Sequence, residues 1–306
     1  MLKKLTLYLA LAVAALAAAL APALAEGLPG PLVPAEWLRA NIGRADLVVV
    51  DIRGRTAANE FAAGHVPGAV FSAYPGGWRG QGAIAGAVPA TAALEATIAE
   101  LGVNSDSLVV IVPAGTDSTE FGGAARLYWS FKYAGHDTVA ILDGGWPAWV
   151  ADAANPVATG VTEVAKGNFI AQVRPEILAT TEQVEAALAA GIPLIDARPP
   201  EQYAGTKKAG AAKRAGHIPG AASLDSDLFY DAATNRIKPL DDLRALVPVA
   251  LGGDTGVQAI TYCNAGHWSA TDWFVLHELL GYENLALYVD SMIGWTQDDA
   301  HPVATN

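Results

Sequence analysis

The chain predicts an α/β fold: two tandem domains, each a short parallel sheet flanked by helices. Three observations predict it. Landmarks of the first half recur in the same order in the second, at an offset of about 150 residues, as a duplicated domain requires. Within each half, short apolar runs alternate with stretches of helical period. The runs are apolar on both faces, which suits strands covered by helices on either side rather than half-solvated ones.

In chain order, Met1-Leu-Lys3-Lys4 is followed by a charge-free stretch from Leu5 to Ala25, and Ala23-Leu-Ala25 has the small-x-small form of a signal-peptidase site. Residues 1–25 therefore read as a secretory signal peptide, cut after Ala25, which places the protein in the periplasm or outside the cell. A retained anchor fits less well, because the apolar core is short and alanine-rich. The first domain is expected over 26–152, a linker over 153–177 and the second domain over 178–306. In the first, Leu47-Val-Val-Val50 reads as a strand ending in Asp51-Ile-Arg53, and Leu108-Val-Val-Ile-Val112 as another. In the second, Thr180-Thr-Glu-Gln183 is a capping box opening a helix that Gly191 stops. Strands follow at Leu194-Ile195, Ala221 to Ser223, Val257 to Tyr262 and Leu285 to Val289, with a helical pattern over Thr271 to Leu280.

The formal charge is −12, and loss of Lys3 and Lys4 with the signal makes the remainder more acidic still. Such a chain repels nucleic acid and anionic lipid, so neither is expected as a partner, and no membrane contact is expected after cleavage. The single cysteine, Cys263, excludes an internal disulfide and a clustered-cysteine metal site. In an exported protein, a lone thiol is free or intermolecular. Cys263 ends a strand and opens a loop, Asn264-Ala-Gly-His-Trp-Ser269, that leads into a helix. Backbone N–H groups at such a helix mouth stabilise a thiolate and make it nucleophilic at neutral pH. The competing reading is a buried small hydrophobe.

Taken together, Asp51-Ile-Arg53 and Asp196-Ala-Arg198, Gly64-His-Val-Pro-Gly-Ala69 and Gly216-His-Ile-Pro-Gly-Ala221, Leu142-Asp-Gly-Gly-Trp146 with Trp149, and the Cys263 loop resemble a tandem-domain rhodanese in its exported form. Members of that family are thiosulfate or 3-mercaptopyruvate sulfurtransferases. The resemblance covers nearly all of the chain beyond the signal. It implies a relay in which Cys263 takes a sulfane sulfur from a small anionic donor as a persulfide and gives it to cyanide, a thiol or an acceptor protein. No metal or organic cofactor is expected, because the protein carries the sulfur covalently. Asn264, Ala265, Gly266, His267, Trp268 and Ser269 would supply the persulfide's N–H donors. The first half has Pro113-Ala-Gly-Thr-Asp117 where the second has its cysteine loop, so it forms no persulfide and is expected to wall the cleft.

Arg198, Gln202 and Arg214 are the further candidates for donor binding. Arg198 could add positive potential near the thiol, although its repeat partner Arg53 points to a structural ion pair with the neighbouring aspartate. Gln202 stands where relatives often carry an arginine. Arg214 closes the Lys207–Arg214 basic loop, in which Lys207, Lys208, Lys213 and Arg214 could funnel anions. His65 and His217, present in both halves, read as turn histidines bonded to backbone. His267 could bind the donor's anionic group or favour the thiolate as an imidazolium, and Trp268 could narrow the pocket. The change from Leu142-Asp-Gly-Gly-Trp146 to Tyr288-Val-Asp-Ser-Met292 reads as packing. Phosphatase chemistry is disfavoured, because the clamp arginine it needs six positions after the cysteine is Ser269. A protein that accepts persulfide sulfur and hands it to one partner without turnover remains the alternative function.

Overall fold

The computed structural model describes residues 27–53, 58–80, 84 and 86–305; the expected signal peptide lies outside them. In the first half, β1 (Leu32–Val33), β2 (Leu47–Asp51), β3 (Val70–Phe71), β4 (Leu108–Val112) and β5 (Val139–Leu142) form a parallel sheet in the order β1-β5-β4-β2-β3. The second half has β6 (Leu194–Asp196), β7 (Ala222–Ser223), β10 (Ala259–Tyr262) and β11 (Leu285–Tyr288), parallel in the order β11-β10-β6-β7. Its counterpart of β1 shrinks to one parallel bridge, Leu178 to Leu287. Between β7 and β10 lies a small antiparallel pair, β8 (Tyr230–Asp231) and β9 (Arg236–Ile237), with no equivalent in the first half among the described residues. Among the described residues, no helix is long and apolar enough to cross a membrane.

The repeat holds at the level of single hydrogen bonds. Arg53 forks onto Asp51 and donates to Gly64 O at 2.6 Å. Arg198 does the same with Asp196 and Gly216 O at 2.8 Å. Each pair is buried at a strand end and ties it to the Gly-His turn. His65 Nδ1 lies 2.8 Å from Phe61 O and His217 Nδ1 2.8 Å from Tyr203 O, so both are turn histidines bonded to backbone. The buried Trp149 and Trp295 donate to Pro156 O and Pro302 O. The stretch read as a linker is anchored to the first domain: Ala158 bridges to His65, as Ala304 bridges to His217, and Phe169 is buried with its N–H on Val103 O.

The halves meet through matching helices. The helix Ser118–Tyr133, capped by the Asp117 carboxylate, follows β4, and the helix Trp268–Trp273 follows β10. The latter starts three residues earlier than the sequence pattern suggested and widens into a π-helical turn over Phe274–Leu279. In the helix Ser118–Tyr133 every residue from Phe121 to Phe131 is buried, as befits a helix covered by its own sheet on one side and another domain on the other. Phe274 makes edge contacts with Phe121 and Tyr128, at ring-centre separations of 5.7 and 4.9 Å, and one apolar core runs across the boundary. Gly122 makes the approach possible. A Cβ there would stand 3.0 Å from the His267 ring, so the roughly 1 kcal/mol that glycine costs a helix is retained for contact with the second domain's loop.

Candidate functional site

Strand registers pair Asp51 with Val112 and Asp196 with Tyr262, which puts Pro113 of the first half where Cys263 stands in the second. The backbone agrees: Trp146 N–H donates to Pro113 O at 3.0 Å, and Met292 N–H donates to Cys263 O at 3.1 Å. Cys263 leaves the carboxyl end of β10, between β6 and β11, where open parallel sheets bind ligands.

The thiol is 1% exposed. Burial alone would push it up, but the Ser269 hydroxyl, 3.3 Å from Sγ, and the N–H groups of Ser269, Ala265 and His267 outweigh that and hold it below its ordinary value. This cradle favours the thiolate and, by the same donors, an anionic persulfide. The turn requires Gly266 at φ 66, where an added Cβ would run into the Arg126 guanidinium and the backbone of Val289.

Ser291, read from sequence as packing, is part of the loop's scaffold. Its hydroxyl accepts the N–H groups of Cys263 at 3.0 Å and Gly266 at 3.3 Å and donates to Tyr288 O at 2.7 Å. It holds φ 50, a left-handed conformation costly for serine, at the position where the first half has Gly145 at φ 59.

A cavity of about 310 Å³ opens over the thiol, lined by Tyr74, Pro75, Arg79 and Thr119 of the first domain and by Cys263, Asn264, Ala265, His267 and Trp268 of the second. The cysteine-free half thus forms one wall, as the sequence suggested. The imidazolium reading of His267 is corrected. Its Nε2 lies 2.8 Å from Thr119 O, which can only accept, so Nε2 carries the proton and Nδ1 accepts from the Tyr74 hydroxyl at 2.8 Å. Desolvation pushes the ring down to about 4, and it is neutral at pH 7. Trp268 lines the pocket and donates to Thr119 Oγ1.

The remaining sequence candidates lie elsewhere. Arg198 is 1% exposed and committed to Asp196 and Gly216. Gln202 touches the loop from outside the pocket, its Oε1 accepting from Asn264 Nδ2 at 2.8 Å. Arg214 is spent on the carbonyls of Asp298 and Asp299, Lys213 on Gln297 O, Lys208 on Ala212 O and Lys207 on Glu201. The basic side chains are therefore engaged at the surface with their own chain, and none of them lines the cavity. A larger depression of about 640 Å³, between the helix Thr181–Ala190 and β11, shares no residue with the thiol pocket.

Two arginines of the first domain escaped the sequence reading. Arg79 Nη2 donates to Ala265 O at 2.9 Å, and Arg126, fully buried, donates through Nη1 to Gly266 O at 2.9 Å. Arg126 carried a signal: it is the one charge within Gly122-Gly-Ala-Ala-Arg-Leu-Tyr-Trp129, a stretch with no polar face. Arg79, in a Pro75-Gly-Gly-Trp-Arg79 loop, carried none.

Behind the loop, Asp272 is fully buried and neither carboxylate oxygen has a hydrogen-bond partner. Desolvation, with Cys263, Asp225 and Asp196 nearby, raises it well above the usual carboxylate range. A carboxyl raised on folding stabilises the fold fully below its unfolded value, near 3.9, and loses that contribution as pH rises toward the folded value. Asp272→Asn should therefore gain stability relative to the wild type by about 1.4 kcal/mol per pH unit above about pH 4, levelling at the folded value. Denaturant unfolding from pH 4 to 8 measures this; parallel curves would contradict it.

Comparison with known proteins places the geometry. The model of the rhodanese-like domain matches residues 34–152 and 180–298. The thiosulfate sulfurtransferase of Pseudomonas aeruginosa is 33% identical over 277 residues, covering 90% of this chain and 97% of its own length. A putative thiosulfate sulfurtransferase of Haloferax volcanii is 37% identical over 207 residues, 63% of this chain and 68% of that one. Among solved structures, SseA of Escherichia coli, a 3-mercaptopyruvate sulfurtransferase, superposes with a TM-score of 0.74 at 25% identity, covering 86% of this chain and 98% of that one.

Proposed function

The chain belongs to the rhodanese family and is a sulfurtransferase, and on that premise we propose that it takes sulfane sulfur from thiosulfate and carries it on Cys263. The carrying observation is the cradle itself: three backbone N–H groups and one hydroxyl converge on a buried thiol at the floor of a small pocket. In the first step the thiolate attacks the outer sulfur of thiosulfate. The sulfur–sulfur bond of the donor breaks, sulfite leaves with the electron pair, and Cys263 holds a persulfide anion. In the second step a nucleophile such as cyanide attacks the outer sulfur, thiocyanate leaves and the thiolate returns.

Neither step moves a proton. That suits a pocket whose described lining residues include no carboxyl group and a histidine that is neutral, with both ring nitrogens engaged. Mercaptopyruvate would leave a carbon anion that needs a proton, which favours thiosulfate. The names of the curated relatives point the same way. We further propose export to the periplasm or the medium, on the strength of Lys3, Lys4, the apolar run and Ala23-Leu-Ala25.

Intact-mass measurement after incubation with thiosulfate tests the donor. One added sulfur atom, removed by cyanide over many cycles, is the expected result. Sulfur added by mercaptopyruvate but not by thiosulfate would overturn the choice of donor. Loading without cyanide turnover would make the protein a carrier for a partner.

A further inference from the structure

We propose that Arg79, supplied by the domain without the nucleophile, is the residue that binds the anionic group of the sulfur donor. The inference deepens the donor reading above and rests on the pocket being the donor site. It follows from where positive charge is found. The chain holds 31 acidic against 19 basic residues, so a dianionic donor approaches an unfavourable overall field and needs a local cation. Arg198 and Arg214 are committed elsewhere, and His267 is neutral with both ring nitrogens engaged. Arg126 is fully buried and lines no part of the cavity. Among the described residues, Arg79 is the one charged side chain lining the cavity that Cys263 also lines.

The site around Arg79 is built. Nη2 is fixed on Ala265 O at 2.9 Å, within the persulfide loop itself. Gly86, at φ 96, leaves room for the guanidinium; a Cβ there would collide with Nη2 and with Ala265 O. The Tyr74 hydroxyl, which donates to His267, interacts with Arg79 as well. A planar guanidinium matches the oxygens of a sulfonate, which a point charge does not. A donor whose outer sulfur meets Sγ occupies a cavity of about 310 Å³ of which Arg79 is a wall.

The test uses Arg79→Gln and Arg79→Lys in the full chain, with two readouts. In thiosulfate:cyanide turnover, Arg79→Gln should raise KM for thiosulfate roughly 10- to 100-fold, the effect of losing a charge-assisted hydrogen bond, with Arg79→Lys between it and the wild type. Alkylation of Cys263 by iodoacetate and by iodoacetamide separates charge from structure, because one reagent is an anion and the other is neutral. The iodoacetate-to-iodoacetamide rate ratio should fall in Arg79→Gln by a similar factor and stay near wild type in Arg79→Lys. An unchanged ratio, or equal slowing of both reagents, would show that Arg79 only braces the loop and would overturn the proposal. If the wild type takes no sulfur from thiosulfate, the choice of donor fails, while the alkylation ratio still decides the anion site.

Discussion

Cys263→Ser should take up no sulfur from thiosulfate and lose thiocyanate formation by on the order of 10⁴-fold or more, the scale of losing a covalent nucleophile, while remaining folded. The geometry makes the expectation specific. Serine keeps the shape, and its hydroxyl can use the N–H groups of Ala265, His267 and Ser269 that converge on Sγ. The loop should therefore stand, with Ser291 still holding the N–H groups of position 263 and Gly266. What is lost is ionisation at neutral pH and a sulfur able to hold a second sulfur. In the wild type, alkylation should fall as pH drops through the lowered thiol value, because only the thiolate reacts. Intact mass and melting temperature measured together check the prediction. A Cys263→Ser protein that melts as the wild type does and still gains one sulfur would remove Cys263 from the mechanism.

Much of the fold and the Cys263 loop is legible in the sequence, and the reason is physical. Backbone-dictated features write themselves locally. The Thr180–Gln183 box and Gly191 fix both ends of the helix Thr181–Ala190, and Gly191 does take the left-handed φ of 70. Asp196-Ala-Arg198 closes on itself within three residues. The loop after Cys263 is readable for the same reason, since the N–H groups that converge on the thiol follow it in sequence. What could not be read is what arrives from far along the chain. Arg79 and Arg126 reach Ala265 and Gly266 across more than a hundred residues, and no local period encodes that meeting. β1 was missed because two residues between Pro31 and Pro34 show no alternation. The His267 imidazolium and the basic loop were charge arguments made without burial. Burial neutralises the first, and the second lies away from the cavity, bonded at the surface to its own chain.

Arg126→Met should slow alkylation and sulfur uptake at pH 7 on the order of 10- to 100-fold by raising the Cys263 thiol, although the substitution lies in the other domain. Arg126 is fully buried, and among the described residues no carboxylate is paired with it. Desolvation lowers its pKa to about 10, yet it stays charged at pH 7, with Tyr74, Cys263 and Asp290 as the groups that favour the charge. A guanidinium so placed is expensive unless anions stand near it, and the Cys263 thiolate is one of them, with Asp290 the other. Its second effect is through the backbone. The peptide between Gly266 and His267 has its carbonyl on Arg126 Nη1 and its N–H on the sulfur, so the arginine orients and polarises the donor that the thiolate uses. Methionine fills similar space without charge. Gly266 O and Gly86 O then lose a donor each, at about 1–3 kcal/mol apiece, against which stands the desolvation cost of the guanidinium that is no longer incurred. Stability should move far less than reactivity. Arg126→Lys keeps the charge but cannot fork onto both carbonyls, and should recover part of the thiolate. The pH dependence of iodoacetamide alkylation across the three proteins separates these roles. A thiol that titrates at the wild-type pH in a folded Arg126→Met protein would reduce the first domain to a wall. A raised titration means the half without a cysteine sets the charge state of the cysteine in the other, which is a physical reason for the two domains to share one core.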